Sequence, residues 1–451
     1  MIKTLIREDF ETYKEYLGKL IAIPSYLREE EGGFPFGKPI QDVLETMLAL
    51  CERQGFKTFV DPEGKYGYAE IGEGEMMFGV LCHLDVVDAG DISAWNTPPF
   101  ELVEKDGALY GRGTSDDKGP TLSALFGLLA ALKAGYTLNQ RVRFIFGVDE
   151  ESLWRCMRSY VQKEELPNFG IAPDSIFPLT YAEKGLIEFK IKSFEKTSLE
   201  VKGGGPLNAV PSLASVPYSK EIEEALNELN FEYRLNEESI EVLGKAMHAK
   251  DADMGVNAIV RLTQALEKAG YDLPILKMIN ASMSNANGAQ IFGEISDDIS
   301  GKLKLNVGSL IIEDGHQELG IDLRFPVTYP VESIRDGIRK LCNEVGLQLE
   351  DYDYLPSIYI DKESDFIQTL MKAYQDVSGD LQSQPISSGG ATYARSMPNV
   401  VAFGGLMKDD PSCAHQANEH ILIDSTLNAI EIYAHTFIKL CTEGEINDTN
   451  I

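Results

Sequence analysis

The sequence MMFGVLCHLDVV, residues 76–87, decides the fold of this 451-residue chain. It is a nearly continuous apolar run, which is typical of a β-strand buried on both faces of a sheet. A mostly apolar helix is predicted at 120–134, and RVRFIFGVDE at 141–150 is a second buried strand. Strand, helix and strand at this spacing indicate a βαβ unit, so the sequence predicts an α/β fold with a largely parallel sheet flanked by helices.

The middle of the chain has a different pattern. LIEFKIKS (186–193) alternates apolar and polar residues, and Asp314-Gly315 separates two strands in the manner of a β-hairpin. The predicted order β, β, α, β, β, α, β indicates a separate α+β domain at 186–360. We therefore expect 1–185 and 361–451 to form one discontinuous domain into which the middle domain is inserted.

The composition excludes several classes of protein. The chain has 71 Asp and Glu against 41 Lys and Arg, a net charge of −30, with 43% hydrophobic residues. That apolar content excludes a disordered chain. The negative charge excludes a nucleic-acid partner held by a general basic surface, because DNA is itself a polyanion. No run approaches about 18 uninterrupted apolar residues, so neither a transmembrane helix nor a membrane partner is predicted.

The N-terminus and the cysteines bear on the compartment. Glu8, Asp9 and Glu11 interrupt any apolar segment of a secretory signal. The six cysteines form no CxxC pair. We therefore expect a cytoplasmic protein with reduced thiols.

Residues that could bind a metal ion or take part in catalysis lie at the ends of the predicted buried strands. His83 and Asp85 are two positions apart on a strand and share one face. Taken alone, a buried histidine satisfied by a neighbouring aspartate is an equally good interpretation. Asp116 and Asp117 lie near the start of the 120–134 helix, where helix capping alone would explain them.

Further acids and a second histidine extend this pattern. Asp149, Glu150 and Glu151 come directly after the apolar residues IFGV (145–148) of the second buried strand, and a solvated loop is the alternative interpretation. Asp174 is in an apolar setting, and His415 is in the segment CAHQANE. Mixed imidazole and carboxylate ligands suit zinc, manganese or cobalt better than calcium. Two such ions about 3.5–4 Å apart could activate a water, and one further acid could then act as a general base.

The ordered motifs HLDVV, GRGTSDDKGP, DEES and AHQANE resemble the cocatalytic-metal exopeptidases that include carboxypeptidase G and succinyl-diaminopimelate desuccinylase. The phrases SDDKGP, DEESLWRCM and APDSIFP favour the bacterial PepV-type dipeptidases, including the manganese-dependent Sapep-like members. The resemblance spans nearly the whole chain. It implies a zinc-exopeptidase-like catalytic domain at 1–185 and 361–451, with a ferredoxin-like lid domain at 186–360.

The resemblance also implies a role for each motif residue. Asp116 would bridge two metal ions, the Asp116–Asp117 peptide would be cis, and Asp85 would orient an imidazole. Glu150 would be the general base. The implied metal ligands are His83, Asp116, Glu151, Asp174 and His415.

In the inserted domain, GKAMHAKDADMGVNA (244–258) resembles the lid loop of that family. The resemblance implies that His248 stabilises the oxyanion of the reaction and that Arg324 and Asn208 hold a substrate carboxylate. Gly389 and Gly390, in SSGGATYARS, would offer backbone N–H groups. His248 as an ordinary loop residue and Arg324 as a strand-end salt bridge remain alternatives.

These expectations combine into a metal-dependent dipeptidase that hydrolyses dipeptides with a free N-terminus. It would use two divalent ions per chain, zinc or manganese, with cobalt also suitable. An N-acyl amino-acid deacylase of the same family is the nearest alternative, and a catalytically silent metal-binding protein is another. The expected partner is a small peptide, and the expected state is a monomer or a weak homodimer.

Overall fold

The computed structural model describes residues 1–29 and 33–443, which divide into two compact units. Unit 1 comprises Met1–Tyr181, Ile358–Ile386 and the residues from Thr392 onward. Unit 2 comprises Ala182–Ser357 and the short segment Ser387–Ala391. Unit 2 is thus inserted in the sequence of unit 1. The roles of catalytic domain and lid domain stay predictions.

The described residues contain both helices and strands in alternation. The α-helices are α1 Ile2–Ile21, α2 Lys38–Arg53, α3 Lys118–Lys133, α4 Arg155–Lys163, α5 Lys220–Glu228, α6 Ala258–Lys268, α7 Pro274–Ser282, α8 Ala289–Phe292, α9 Val331–Val345, α10 Asp365–Ser378 and α11 Ile423–Cys441. In this part of the chain, no helix has the length and apolar character needed to cross a membrane.

The strands are shorter than the helices and more numerous. They are β1 Lys57–Val60, β2 Tyr66–Ile71, β3 Met77–His83, β4 Val103–Lys105, β5 Ala108–Tyr110, β6 Arg141–Gly147, β7 Phe169–Ala172, β8 Ser175–Ile176, β9 Thr180–Glu183, β10 Gly185–Ser193, β11 Val201–Gly204, β12 Leu213–Pro217, β13 Tyr233–Leu235, β14 Ser239–Leu243, β15 Ser296–Asp297, β16 Gly301–Lys302, β17 Lys304–Glu313, β18 His316–Phe325, β19 Gln348–Leu355, β20 Ile358–Tyr359, β21 Ile386–Ser388, β22 Val400–Ala402, β23 Gly405–Leu406 and β24 His420–Leu422.

The main sheet of unit 1 confirms the predicted α/β fold class. Its strand order includes β1-β2-β6-β3-β7-β22. The pairs β6–β3, β3–β7 and β7–β22 are parallel, whereas β1–β2 and β2–β6 are antiparallel. Every residue of β3 is buried, as its apolar run predicts. The four parallel strands lie together, so their carboxyl ends meet at one edge of the sheet.

Helix α3 lies against this sheet and fixes the loop that precedes it. Most of its residues are buried, because it packs against α1, α11 and β3. Gly127 allows the close approach of α11: a Cβ atom at this position would lie 2.7 Å from the Cβ of Tyr433. An apolar surface on all sides therefore reflects a helix enclosed by neighbours. All six cysteines are buried, and none of them forms a disulfide in this structure.

Unit 2 contains an antiparallel sheet with the order β13-β14-β12-β11-β17-β18-β10-β19. Strand β10 alternates buried and half-buried residues over most of its length, as the sequence predicts. At the predicted hairpin between β17 and β18, Asp314 and Gly315 have φ angles of 52° and 77°. Positive φ at both central residues is the mark of a tight hairpin turn. The inserted α+β domain is therefore confirmed as a fold, although β11, β12 and α5 were not predicted.

Candidate metal centre

The predicted ligands of unit 1 gather at the carboxyl edge of the parallel strands. His83 is the last residue of β3. Glu151 follows β6, and Asp174 follows β7, on either side of β3 in the sheet. Asp116 comes from the loop that leads into α3, and His415 from the segment between β23 and β24. Strand order thus places side chains together that are far apart in sequence.

The ligand atoms form two groups that share one residue. His83, Asp116 and Asp174 form one group, and Asp116, Glu151 and His415 form the other. Within each group the candidate ligand atoms lie within 4.8 Å of one another. The two oxygens of Asp116 face different groups: Oδ1 is 2.9 Å from His83 Nε2, and Oδ2 is 3.0 Å from His415 Nε2. Each oxygen of Asp116 thus faces a different ligand group.

The imidazole of His83 is held in one orientation. The side chain is about 1% exposed, and Nδ1 lies 3.0 Å from the backbone carbonyl oxygen of Asp85, which leaves Nε2 facing the ligand group. The carboxylate of Asp85 is 3.7 Å from Nδ1 and instead accepts a hydrogen bond from the Glu151 N–H at 3.0 Å. Asp85 therefore contacts His83 through its carbonyl group and Glu151 through its carboxylate.

Asp117 has a different environment from its neighbour Asp116. The peptide between them is cis, as the resemblance implies. The buried Asp117 carboxylate accepts hydrogen bonds from the His83 N–H at 3.2 Å and the Thr121 hydroxyl at 3.0 Å. Burial raises the pKa of Asp117 to about 8. Asp116, and not Asp117, belongs to the two ligand groups.

The electrostatics of the edge favour a bound cation. Burial, together with the charge of Asp116, raises the pKa of Asp174 and of Glu151. Hydrogen bonds to Asp116 and Glu151 raise the pKa of His415 to about 10. Protons on the imidazoles thus offset the carboxylates, and a metal ion would compete for the same positions. Imidazole nitrogens and carboxylate oxygens are a donor set that fits zinc, manganese or cobalt.

The three consecutive acids after β6 have different partners. Asp149 is buried and forms a bidentate ion pair with Arg155, with N–O distances of 2.7 and 2.8 Å. Glu151 belongs to a ligand group. Within residues 1–29 and 33–443, no hydrogen bond or salt bridge to the Glu150 carboxylate is found, and burial raises its pKa well above the ordinary value. Asp149 is therefore structural, and Glu150 is the acid of the three that has neither an ion-pair partner in the described residues nor a place in a ligand group.

The residues predicted in the inserted domain are placed in unit 2. His248 Nδ1 accepts a hydrogen bond from the Lys250 N–H at 3.1 Å, and burial, with help from Arg324 and Lys250, lowers the pKa of His248 to about 4. Asn208 is exposed in a turn, and its carbonyl group accepts from the Ala249 N–H at 2.8 Å. The His248 and Asn208 segments are therefore neighbours in unit 2.

Arg324 is buried, and several of its N–H groups already have partners. Nε and Nη2 donate to the Asp322 carboxylate at 2.8 and 2.7 Å, and Nη1 donates to the Gly389 carbonyl oxygen at 3.0 Å. The N–H of Gly390 donates to Ser388 Oγ at 2.9 Å, so it is used within its own loop. A Cβ at Gly389 would lie 2.8 Å from the Cβ of Lys250. Gly389 thus allows close packing beside Arg324.

Sequence reasoning missed Glu419, which holds the loop that carries Asp116. Its buried carboxylate accepts hydrogen bonds from Arg112 Nη1 at 2.6 Å, the Gly113 N–H at 3.1 Å and the Ser115 N–H and hydroxyl at 2.9 Å. Glu419 is four residues after His415 in AHQANE. The only signal in the sequence was an acid directly before the short strand β24.

Comparisons with known proteins agree with this geometry. The model of "Peptidase family M20/M25/M40" matches residues 79–439. The chain is 34% identical over 433 residues to "Putative dipeptidase YtjP" of Bacillus subtilis (strain 168), covering 90% of this chain and 92% of the relative.

Two solved structures show a similar fold at low sequence identity. The dipeptidase Dug1p of Saccharomyces cerevisiae has a TM-score of 0.62 at 15% identity and covers 97% of this chain and 98% of its own. The M20 family metallo-carboxypeptidase Sso-CP2 of Sulfolobus solfataricus has a TM-score of 0.62 at 18% identity and covers 96% and 99%. From the family match over most of its length and the extent of its likeness to YtjP, this chain belongs to peptidase family M20/M25/M40.

Proposed function

We propose that the chain is a metal-dependent dipeptidase that hydrolyses dipeptides with a free N-terminus. The observation that carries the proposal is the Asp116 carboxylate shared between two ligand groups, beside a Glu150 carboxylate without a hydrogen-bond partner in the described residues. The names of the relatives YtjP and Dug1p support the choice of dipeptides as the substrate class.

His83, Asp116, Glu151, Asp174 and His415 would hold two divalent ions, which supply charge that polarises the scissile carbonyl group and acidifies a water molecule. Glu150 would take the proton from that water. Glu150 would then pass this proton to the leaving amine as the peptide bond breaks. Asp85 holds both His83 and the Glu151 backbone, so it would maintain the spacing of the two ligand groups.

The residues of unit 2 would act on the rest of the substrate. Because His248 Nδ1 accepts a hydrogen bond, its proton is on Nε2, and the lowered pKa keeps the ring neutral at pH 7. Its Nε2–H is therefore suited to donate to an oxyanion. Arg324 and the exposed Asn208 are proposed to hold the C-terminal carboxylate, with Gly389 and Gly390 shaping the loop beside Arg324.

An assay on a substrate panel after metal removal tests the proposal. The chain would be stripped with a chelator and reloaded with zinc, manganese or cobalt, and then assayed on dipeptides, tripeptides and N-acyl amino acids. We expect turnover to return with metal and to be highest for dipeptides. A strong preference for acylated substrates would instead support the N-acyl amino-acid deacylase.

Substitution of Glu150 tests the proposed general base. Glu150→Gln keeps the size of the side chain but removes its basic oxygen, so kcat should fall by about 10²–10⁴-fold. The metal content should stay at two ions per chain. Glu165→Gln, at an exposed acid paired with Arg141 in unit 1, is the matched control and should leave kcat unchanged. Full activity in Glu150→Gln would remove this residue from the mechanism.

We also propose that the chain works as a monomer or a weak homodimer. Both ligand groups are formed by residues of unit 1 of one chain, so the metal centre needs no ligand from a second copy. Light scattering during size-exclusion chromatography measures the mass. A stable tetramer, or activity that requires association, would contradict this proposal.

A further inference from the structure

Asn306 is a buried polar residue in the apolar strand β17 of unit 2, and its side chain is about 2% exposed. Its Nδ2 group donates two hydrogen bonds, to the carbonyl oxygens of Leu207 and Ala209, both at 2.8 Å. Its Oδ1 accepts from Asn257 Nδ2 at 3.3 Å. The two carbonyl groups that Asn306 holds are those on either side of Asn208.

The turn that contains Asn208 has a second set of contacts, with the segment of His248. The carbonyl oxygen of Asn208 accepts from the Ala249 N–H at 2.8 Å, and the Val210 N–H donates to the carbonyl oxygen of Met247 at 2.8 Å. Ala209 and His248 form an isolated antiparallel bridge. The backbone of this turn is therefore fixed on one side by Asn306 and on the other by the His248 segment.

Asn257 connects this arrangement to helix α6. Its Oδ1 accepts from the N–H groups of Ile259 and Val260 at the start of the helix, at 3.0 and 3.2 Å. Its Nδ2 donates to the Val307 carbonyl oxygen at 2.8 Å in addition to Asn306. The Asn306 amide is thus itself held in a fixed orientation, so that its two donors point at the turn.

We propose that Asn306 is a positioning residue that aligns Asn208 and His248 for the substrate. The inference rests on the proposed function, in which these two side chains contact the substrate. Both residues have surface that reaches solvent, whereas the Asn306 side chain is buried. The buried amide therefore fixes the backbone that carries the two side chains. A displacement of about 1 Å in such groups can lower the rate by about 100-fold.

The test is a double-mutant cycle on the metal-loaded full chain. Asn306→Asp keeps the shape but turns the donor toward Leu207 and Ala209 into an acceptor, and we expect kcat/KM to fall by at least about tenfold. In the Asn208→Ala/His248→Ala background the same change should cost less than about threefold, because both residues through which Asn306 acts are gone. Equal losses in both backgrounds would show a general structural role and overturn the proposal.

The matched control is Asn280→Asp in helix α7. Asn280 Nδ2 also donates to a backbone carbonyl oxygen, that of Thr263 at 3.0 Å, and its Oδ1 also accepts from a side chain, the Thr263 hydroxyl. It belongs to unit 2 but makes none of its hydrogen bonds with residues 206–210. We expect this variant to keep the parent kcat/KM within about twofold.

Hydrogen exchange provides a readout that does not depend on activity. In Asn306→Asp the amides of Val210 and Ala249 should exchange at least about tenfold faster, whereas Asn280→Asp should leave them unchanged. Unchanged exchange there would overturn the proposal even if no substrate in the panel were cleaved. Absence of turnover in the parent chain, with the exchange difference present, would count only against the proposed function.

A less disruptive substitution keeps the test possible if Asn306→Asp does not fold. Asn306→Ser keeps one hydroxyl donor, and the cycle and the exchange measurement would be repeated with it if circular dichroism showed that Asn306→Asp does not fold. If neither variant folds, Asn306 serves the folding of unit 2, and the positioning role is overturned.

Discussion

Replacement of Glu419 by glutamine should loosen the loop that carries Asp116. Glu419 is fully buried and accepts four hydrogen bonds, from Arg112, Gly113 and Ser115. The glutamine side chain would have one acceptor oxygen in place of two, and its amide nitrogen would face a donor. Arg112, which is about 1% exposed, would keep its charge and lose its ion-pair partner.

The expected loss of stability follows from this buried pair. Breaking a buried ion pair on one side costs about 3–5 kcal/mol, since the remaining charge stays buried without compensation. A loss of about 4 kcal/mol changes the folding equilibrium of unit 1 by about 10³-fold, because about 1.4 kcal/mol corresponds to a factor of ten. The loosened loop should also weaken metal binding by about 10–100-fold, since Glu419 supports the loop that carries a ligand.

Tryptophan fluorescence in urea measures this change in unit 1 alone. The chain has two tryptophans, Trp95 and Trp154, and both are in unit 1. Trp95 is also close to the affected loop, with its ring 5.2 Å from the guanidinium group of Arg112. The matched control is Glu104→Gln, at an exposed acid paired with Lys14, where the loss should be below about 1 kcal/mol.

The same urea midpoint and the same metal affinity in Glu419→Gln and the parent would refute this reasoning. A large loss in Glu104→Gln would also refute it, because burial would then not be the cause. A loss of stability with unchanged metal affinity would separate the two effects. In that case Glu419 stabilises the fold but does not set the position of Asp116.

Two further predictions concern the ligand groups and His248. Asp116→Ala should remove both metal ions and Glu151→Ala only one, because Asp116 belongs to both ligand groups, and metal analysis after gel filtration counts the ions. Two ions retained by Asp116→Ala would exclude the bridge. The imidazole of His248 should titrate near pH 4 in the folded chain and near pH 6.5 in the unfolded chain. Between these values the unfolded chain binds one more proton than the folded chain, so lowering the pH through this range should favour unfolding. NMR titration, with His248→Gln to assign the signal, checks the value, and titration near 6.5 would contradict it.

The sequence predicted the part of the site that depends on strand ends. An apolar run buried on both faces predicted β3, and His83 is at its end as expected. The run was expected to remain a strand as far as residue 87, but the strand ends at His83. After His83 the backbone leaves the sheet and forms hydrogen bonds with other segments: the Val86 N–H donates to the Ser25 carbonyl oxygen at 3.0 Å. The turn brings the carbonyl group of Asp85 back to His83, which periodicity alone could not show.

Other features depend on contacts between residues far apart in sequence. Glu419 and Arg112 form an ion pair although they are 307 positions apart in the sequence, and no local pattern in either segment predicts this pair. Strand β11 has glycines at 203 and 204, and β12 ends at Pro217, so both have weak strand signals. Asn306 left a visible signal, a lone amide in an apolar strand, but its partners at 207 and 209 become apparent only in the folded sheet.

The positions of the arginine side chains show which buried acids are structural. Asp149 has Arg155 as its partner, and Glu419 has Arg112. Among the described residues, no lysine or arginine forms a salt bridge with the other acids of the metal centre, which are Asp116, Glu150, Glu151 and Asp174. Because buried carboxylates without compensation are costly, a chain that supplies arginines to Asp149 and Glu419 and none to the two ligand groups leaves those groups available for cations from solution. The large excess of acids over bases does not by itself indicate a metal site. Within the described residues, however, Asp116, Glu151 and Asp174 have only histidines as ion-pair partners, and this mixed donor set fits a metal ion.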